Sequence, residues 1–154
     1  MKQIHYVILF LIINFSGLAL GNIFMGDGAN GIWYKNLNKA PWTPPGWVFG
    51  VVWTVIMICF SIYLSFLFNL RKSNFVTTIF IISLLLNISW NYLFFNQHFT
   101  SIALFNLIAL ALVIIYLFIS FGDDELSKMR ILLVPYILWL CIAISLNGYV
   151  VLNN

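Results

Sequence analysis

Between Lys72 and Asp123 lie 50 residues, Ser73–Gly122, without a single Asp, Glu, Lys or Arg. The hydrocarbon core of a bilayer is about 30 Å thick, and a helix crosses it in about 20 apolar residues. At about 1.5 Å per residue, one continuous helix over this run would cross more than twice. The chain therefore turns back inside it, and the only polar cluster there, Asn96-Gln97-His98-Phe99-Thr100-Ser101, marks the turn. Three further charge-free runs, Gln3–Gly26, Ala40–Leu70 and Ile131–Asn154, are each long enough for one crossing. The expectation is an all-α integral membrane protein, a five-transmembrane-helix bundle forming one domain over residues 1–154. The spans are expected near 4–24, 47–68, 75–95, 101–121 and 131–151. Barrel strands are about 10 residues long and alternate in polarity, which these unbroken runs do not. A helix satisfies its own backbone in lipid.

Composition supports the same class, with 63% hydrophobic and only 7% charged residues, too little charge to coat a soluble domain. Lys2 and the apolar run after it resemble a signal peptide, but the run continues through Ile23-Phe24-Met25 and is read as a retained span. The net charge of +3 is spread over too few side chains to make a nucleic-acid footprint. With five spans, Lys2, Arg71, Lys72, Lys128 and Arg130 share one side, and Lys35 and Lys39 the other. The positive-inside rule then places the N-terminus in the cytoplasm.

Loops two to four are short, so spans two to five are expected to be antiparallel neighbours. Loop 1, residues 25–46, is long, rich in glycine and proline, and carries Trp33, Tyr34 and Trp42. Such a loop is seldom a passive connector, and it is expected to fold over the end of the bundle.

All four acidic residues (Asp27, Asp123, Asp124, Glu125) fall in loops, and no Lys or Arg falls in a span. Gradient-coupled transporters need an intramembrane ionisable group, so active transport is disfavoured, as is hydrolysis at membrane depth. His5 and His98 sit near helix ends, where interfacial roles outweigh haem ligation. No metal site is expected. Cys59 and Cys141 read as buried small apolar residues.

The polar residues inside the spans form stripes. Ser83, Asn87, Trp90, Asn91 and Phe94 share one face of the third span, and Tyr136, Trp139, Ala143 and Asn147 one face of the fifth. The fourth offers Ala103, Asn106 and Leu110, and the second Gly46, Gly50, Trp53 and Met57. Amides avoid lipid, so these faces point inward. Two readings stay open: interhelical packing and hydrogen bonding, or a pocket for a flat, largely apolar ligand with polar edges. Small-xxx-small spacings at Gly17/Gly21 and Gly46/Gly50 suit close helix contact, within a protomer or between two. Pro135 either starts the last helix or kinks it.

The stretch from Trp33-Tyr34 through Pro41-Trp42-Thr43-Pro44-Pro45-Gly46-Trp47, followed by Gly50 and Trp53, resembles the tryptophan-rich sensory protein (translocator protein, peripheral-type benzodiazepine receptor) family. Leu86-Asn87-Ile88-Ser89-Trp90 with Phe94-Phe95, and Pro135-Tyr136 through Trp139 and Ala143 to Asn147, agree with it. The resemblance implies a homodimeric five-helix bundle in a bacterial cell membrane. It would be a receptor or sensor that binds protoporphyrin IX, haem-like tetrapyrroles and benzodiazepine-site ligands, with no obligatory cofactor. By position, the pocket would use Trp53, Asn87, Trp90, Trp139 and Ala143 under a loop 1 lid. With the inward stripes, the expected ligand-binding set is Tyr34, Trp42, Gly46, Gly50, Trp53, Asn87, Trp90, Phe94, Asn106, Tyr136, Trp139, Ala143 and Asn147. Alternatives are light-dependent porphyrin breakdown, with Trp53 and Trp139 as redox candidates, and passive or partner-assisted transport of tetrapyrroles or lipids.

Three positions depart from the family pattern. Asn106 stands where many members carry an acid, the proline of Lys39-Ala40-Pro41 comes one place late, and nothing basic follows Tyr149. The last removes support for a proposed sterol motif that is weak in any case.

Overall fold

The computed structural model describes residues 3–122 and 126–154. Lys2 and the acidic trio Asp123, Asp124 and Glu125, used above for charge placement, lie outside the described residues. The helices are α1 (Gln3–Phe24), α2 (Ile32–Asn36), α3 (Gly46–Arg71), α4 (Asn74–Asn91), α5 (Thr100–Ser120) and α6 (Val134–Asn153). Five of them, α1, α3, α4, α5 and α6, are long and apolar enough to cross a membrane. The protein is an all-α, five-span integral membrane protein, as its charge-free runs predict.

Local chemistry sets the helix ends. The Ser73 hydroxyl accepts from the Val76 amide at 3.1 Å and caps α4. Pro135 falls in the first turn of α6, after a 3₁₀ turn over Met129–Leu133, so it starts the helix rather than bending it. At its far end α4 widens into a π-helical turn, Tyr92–Asn96, and stops at His98, whose φ of 58° lies in the left-handed region.

The spans close into a ring in which α1 packs on α3 and α4, α4 on α5, α5 on α6, and α6 with its 3₁₀ start on α3. This corrects one expectation. The second and third spans follow each other in sequence but are not neighbours in the ring, where α1 packs on both; they meet only through side chains such as Phe80, whose ring lies 6.4 Å from Phe60 and 6.1 Å from Phe68. A short loop fixes only where two ends meet; the approach distance along the helices decides who packs. Here Gly17 and Gly21 let α1 approach α4 so closely that an added Cβ would lie 2.7 Å from Leu84 Cδ1 and from Asn91 Nδ2. The same spacing at Gly46 and Gly50 supports no such contact, since nothing lies within 4 Å of a Cβ built there.

The end of the ring near Arg71 is filled with rings and aliphatics. Phe10 lies 4.7 Å from Phe68 and 5.2 Å edge-on from Phe80, and the Tyr63 hydroxyl donates to the Leu117 carbonyl, joining α3 to α5. Ile12, Phe105, Leu112 and Ile119 face outward, a coat suited to lipid and too apolar for water. Trp42 and Trp47, both exposed, stand at the loop 1 end, where amphipathic rings mark a membrane interface. Cys59 is half-buried, but Cys141 is exposed on the outer face of α6, so the expectation that both are buried fails for Cys141.

Candidate ligand-binding site

Opposite the aromatic plug, the inward faces of α4 and α6 line the ring with amides and rings in layers. Deepest, the Asn14 amide donates to Ser61 Oγ at 2.8 Å, with both residues buried. The Asn87 amide donates to the Tyr136 hydroxyl at 2.8 Å. Tyr136 meets the edge of Trp53 at 5.8 Å and that of Phe60 at 5.4 Å. In the next layer Phe49 stands edge-on to Trp139 at 5.1 Å. Above it, Trp90 Nε1 donates to Asn147 Oδ1 at 3.1 Å, and the Asn147 amide donates to the Thr100 carbonyl at 2.8 Å. One side chain thus joins α4, α5 and α6. Trp90 also stacks on Phe94 (5.3 Å, 18°) and meets Phe95 edge-on at 5.7 Å.

Loop 1 covers this end. Trp33 and Tyr34 lie edge-on to Phe94 at 5.5 and 6.3 Å, and Tyr34 is 5.2 Å from Phe95. The Lys39 ammonium donates to the carbonyls of Tyr34 (2.9 Å) and Lys35 (3.3 Å), capping the end of α2, and sits 4.8 Å over the Tyr34 ring. Burial raises the pKa of the Tyr34 phenol above its ordinary value, so it stays neutral at physiological pH. Farther along, the Asn38 backbone N–H donates to Asn154 Oδ1 at 2.9 Å while Asn154 Nδ2 donates back to the Asn38 backbone carbonyl at 3.2 Å. Trp42 Nε1 donates to Ser145 Oγ at 3.2 Å, and its ring meets Tyr149 at 5.5 Å. The loop is thus fastened to α4 at its start and to α6 at its finish.

Beneath it lies a cavity bounded by Tyr34, Lys39, Thr43, Phe49, Trp90, Phe94, Phe95, Ala143, Leu146, Asn147 and Val150, with about 40 Å³ of free space. A void of about 10 Å³ follows at Asn14, Met57, Phe60, Ser83, Leu84, Asn87 and Tyr136. Pockets for drug-sized ligands run to roughly 300–1,000 Å³. Both spaces are far smaller than that.

Of the residues expected from sequence, Tyr34, Trp90, Phe94, Ala143 and Asn147 line the cavity. Asn87 and Tyr136 line the deeper void, Trp53 packs against Tyr136, and Trp139 lies behind Phe49. Trp42 sits on the outer side of α6, and Gly46 and Gly50 are exposed. Asn106 stands at the seam between α5 and α4: its amide donates to the Leu86 carbonyl at 2.7 Å, and its oxygen accepts from Ser89 at 3.0 Å. Sequence reasoning missed Asn14 and Ser61, although an amide inside the first span carried the same signal as Asn87. It also missed Lys39, Thr43, Phe49, Phe95, Leu146 and Val150. Replacing Tyr136 with Phe leaves the half-buried Asn87 amide without its acceptor, and an SDS-unfolding titration is expected to show a loss of about 1 kcal/mol.

The loop 1 lid, the α4 and α6 stripes and their spacing extend over nearly the whole chain, and residues 7–152 match the TspO/MBR family model. The chain belongs to the TspO/MBR family. It is 32% identical over 124 residues to the tryptophan-rich protein TspO of Archaeoglobus fulgidus, covering 79% of this chain and 80% of that one. It is 30% identical over 134 residues to protein CrtK of Rhodobacter capsulatus (84% and 80% covered). Over 115 residues it is 30% identical to the tryptophan-rich sensory protein of Cereibacter sphaeroides (75% and 72% covered). In this TspO/MBR member, both halves of the loop 1 tryptophan motif have visible jobs: Trp33 packs on the end of α4 and Trp42 on the outside of α6.

Proposed function

We propose that this protein is a membrane receptor or sensor that takes a flat, largely apolar ligand of the porphyrin type between α3, α4 and α6, under loop 1. The observation that carries this reading is the cavity floored by Ala143 and walled by Phe49, Trp90, Phe94 and Asn147. Ring faces offer stacking, the small Ala143 leaves room, and the Trp90–Asn147 pair offers a polar edge. The name of one relative, a tryptophan-rich sensory protein, agrees with it. The cavity's present size means that binding waits on the lid, which must lift before a macrocycle fits.

Titrating protoporphyrin IX into the detergent-solubilised protein while following Trp fluorescence tests the reading. Saturable quenching is expected, with a weakened response in Trp90→Phe. Quenching that does not saturate, or that is unchanged in that variant, overturns it. Asn154→Ala removes both bonds to Asn38. At about 1 kcal/mol net, amide exchange in residues 37–42 is expected to speed up roughly fivefold by mass spectrometry, with faster porphyrin association.

A further inference from the structure

Tyr34 and Phe95 have a second side. Away from the closed cavity they help to line another pocket, of about 360 Å³, between the start of loop 1 and the π-helical end of α4. Its remaining side-chain wall includes Met25, Asp27, Trp33, Asn96 and His98. Three left-handed residues shape it. Gly26 (φ 62°) and Gly28 (φ 52°) turn loop 1 around one rim, and His98 (φ 58°) turns the chain at the other. Glycine adopts that conformation freely, whereas histidine does so only at some cost in backbone strain. The turn at His98 lays its imidazole flat on the Trp33 indole, 4.0 Å away and 13° from parallel. Trp33 is braced from behind by Phe94.

Unlike the inner cavity, this pocket stands open and already has the volume of a small-molecule site. Its charge is also different. Asp27 is the only acidic side chain among the described residues, is exposed, and makes no ion pair among them. The Lys39 ammonium borders the inner cavity instead, held on the carbonyls of Tyr34 and Lys35. The Asp27 carboxylate supplies charge for an ammonium, and the rings and the polarisable Met25 thioether supply apolar contact rather than a free ring face, since His98 covers the Trp33 indole and Lys39 sits over the Tyr34 ring. The same carboxylate repels carboxylate-bearing macrocycles such as porphyrins.

We propose that this pocket is a second ligand site, separate from the inner cavity, that takes a small organic cation, an aromatic or alkylated ammonium, with Asp27 as its counter-charge. Benzyltrimethylammonium is a suitable probe, with N,N-dimethylbenzamide as a neutral molecule of similar size. Calorimetric titration in a non-ionic detergent, blanked against empty micelles, is expected to show saturable one-to-one binding of the cation and none of the amide. Asp27→Asn should weaken the cation at least tenfold, and Asp27→Glu should keep it within about threefold. Asp27 is exposed, so its variants should fold, and unchanged thermal melting and protoporphyrin quenching would verify that. Absence of saturable binding, equal binding of the neutral amide, equal affinity in Asp27→Asn, or equal losses in Asp27→Asn and Asp27→Glu each overturns the proposal. Because protoporphyrin quenching is followed separately in the same variants, failure here is distinguishable from failure of the porphyrin reading.

Discussion

Replacing Trp90 with alanine is expected to destabilise the bundle by about 3 kcal/mol and to weaken protoporphyrin binding at least tenfold. Removing a large aromatic side chain from a packed interior typically costs about 3–5 kcal/mol, and Trp90 is half-buried, which places it at the lower end. Three losses coincide: the stack on Phe94, the edge contact with Phe95, and the bond to Asn147. The last leaves the Asn147 oxygen without its Trp90 donor, so one substitution loosens α4 from α6 at the mouth of the cavity. Trp90→Phe separates the contributions. It keeps a six-membered ring for Phe94 but drops the N–H together with part of the indole's contact area; the lost hydrogen bond accounts for about 1 kcal/mol of the change expected by SDS unfolding. If Trp90→Ala melts like the parent, the cavity wall is not what holds this end together.

Gly17→Leu is the second large effect, expected to cost about 1–3 kcal/mol by overpacking. A Cβ at Gly17 already meets Leu84 Cδ1 at 2.7 Å. A first methyl could be met by a rotamer change at Leu84, but the rest of a leucine must force α1 and α4 apart. Gly50→Leu is the matched control. It adds the same side chain to a span with nothing within 4 Å, and its stability is expected to stay within about 0.5 kcal/mol of the parent. Measuring both in one lipid or detergent removes the contribution of apolar surface to micelle binding. Equal losses in the two variants would show that spacing in sequence, not approach in space, sets the cost.

That pair also shows how far sequence reached. The five spans were legible because charge-free length is dictated by bilayer thickness, with no knowledge of neighbours needed. The inward direction of Asn87, Trp90 and Asn147 was legible for a similar reason: an amide or indole N–H in lipid needs a partner. Which partner it finds is a matter of three dimensions. Asn87 reaches Tyr136 and Asn147 reaches Trp90 across the cavity, while Asn106, marked by the same logic, bonds Leu86 and Ser89 at the next seam. Packing order was hidden as well, because the glycines that bring α1 against α4 carry the same spacing as the pair that touches nothing. The π-helical turn left no trace in hydropathy, yet it presents both Phe94 and Phe95 to the cavity.

The exchange of hydrogen bonds between Asn38 and Asn154 acquires a different meaning once the cavity beneath is shut. When only a fraction of molecules is open, apparent affinity falls by that same fraction. Every 1.4 kcal/mol holding the lid down moves the half-response concentration tenfold. The contact surfaces of the cavity then decide what is detected, and the strength of the strap decides how much of it must be present. Substitutions at Asn154, outside the cavity lining, would reset the detection threshold and leave ligand preference intact.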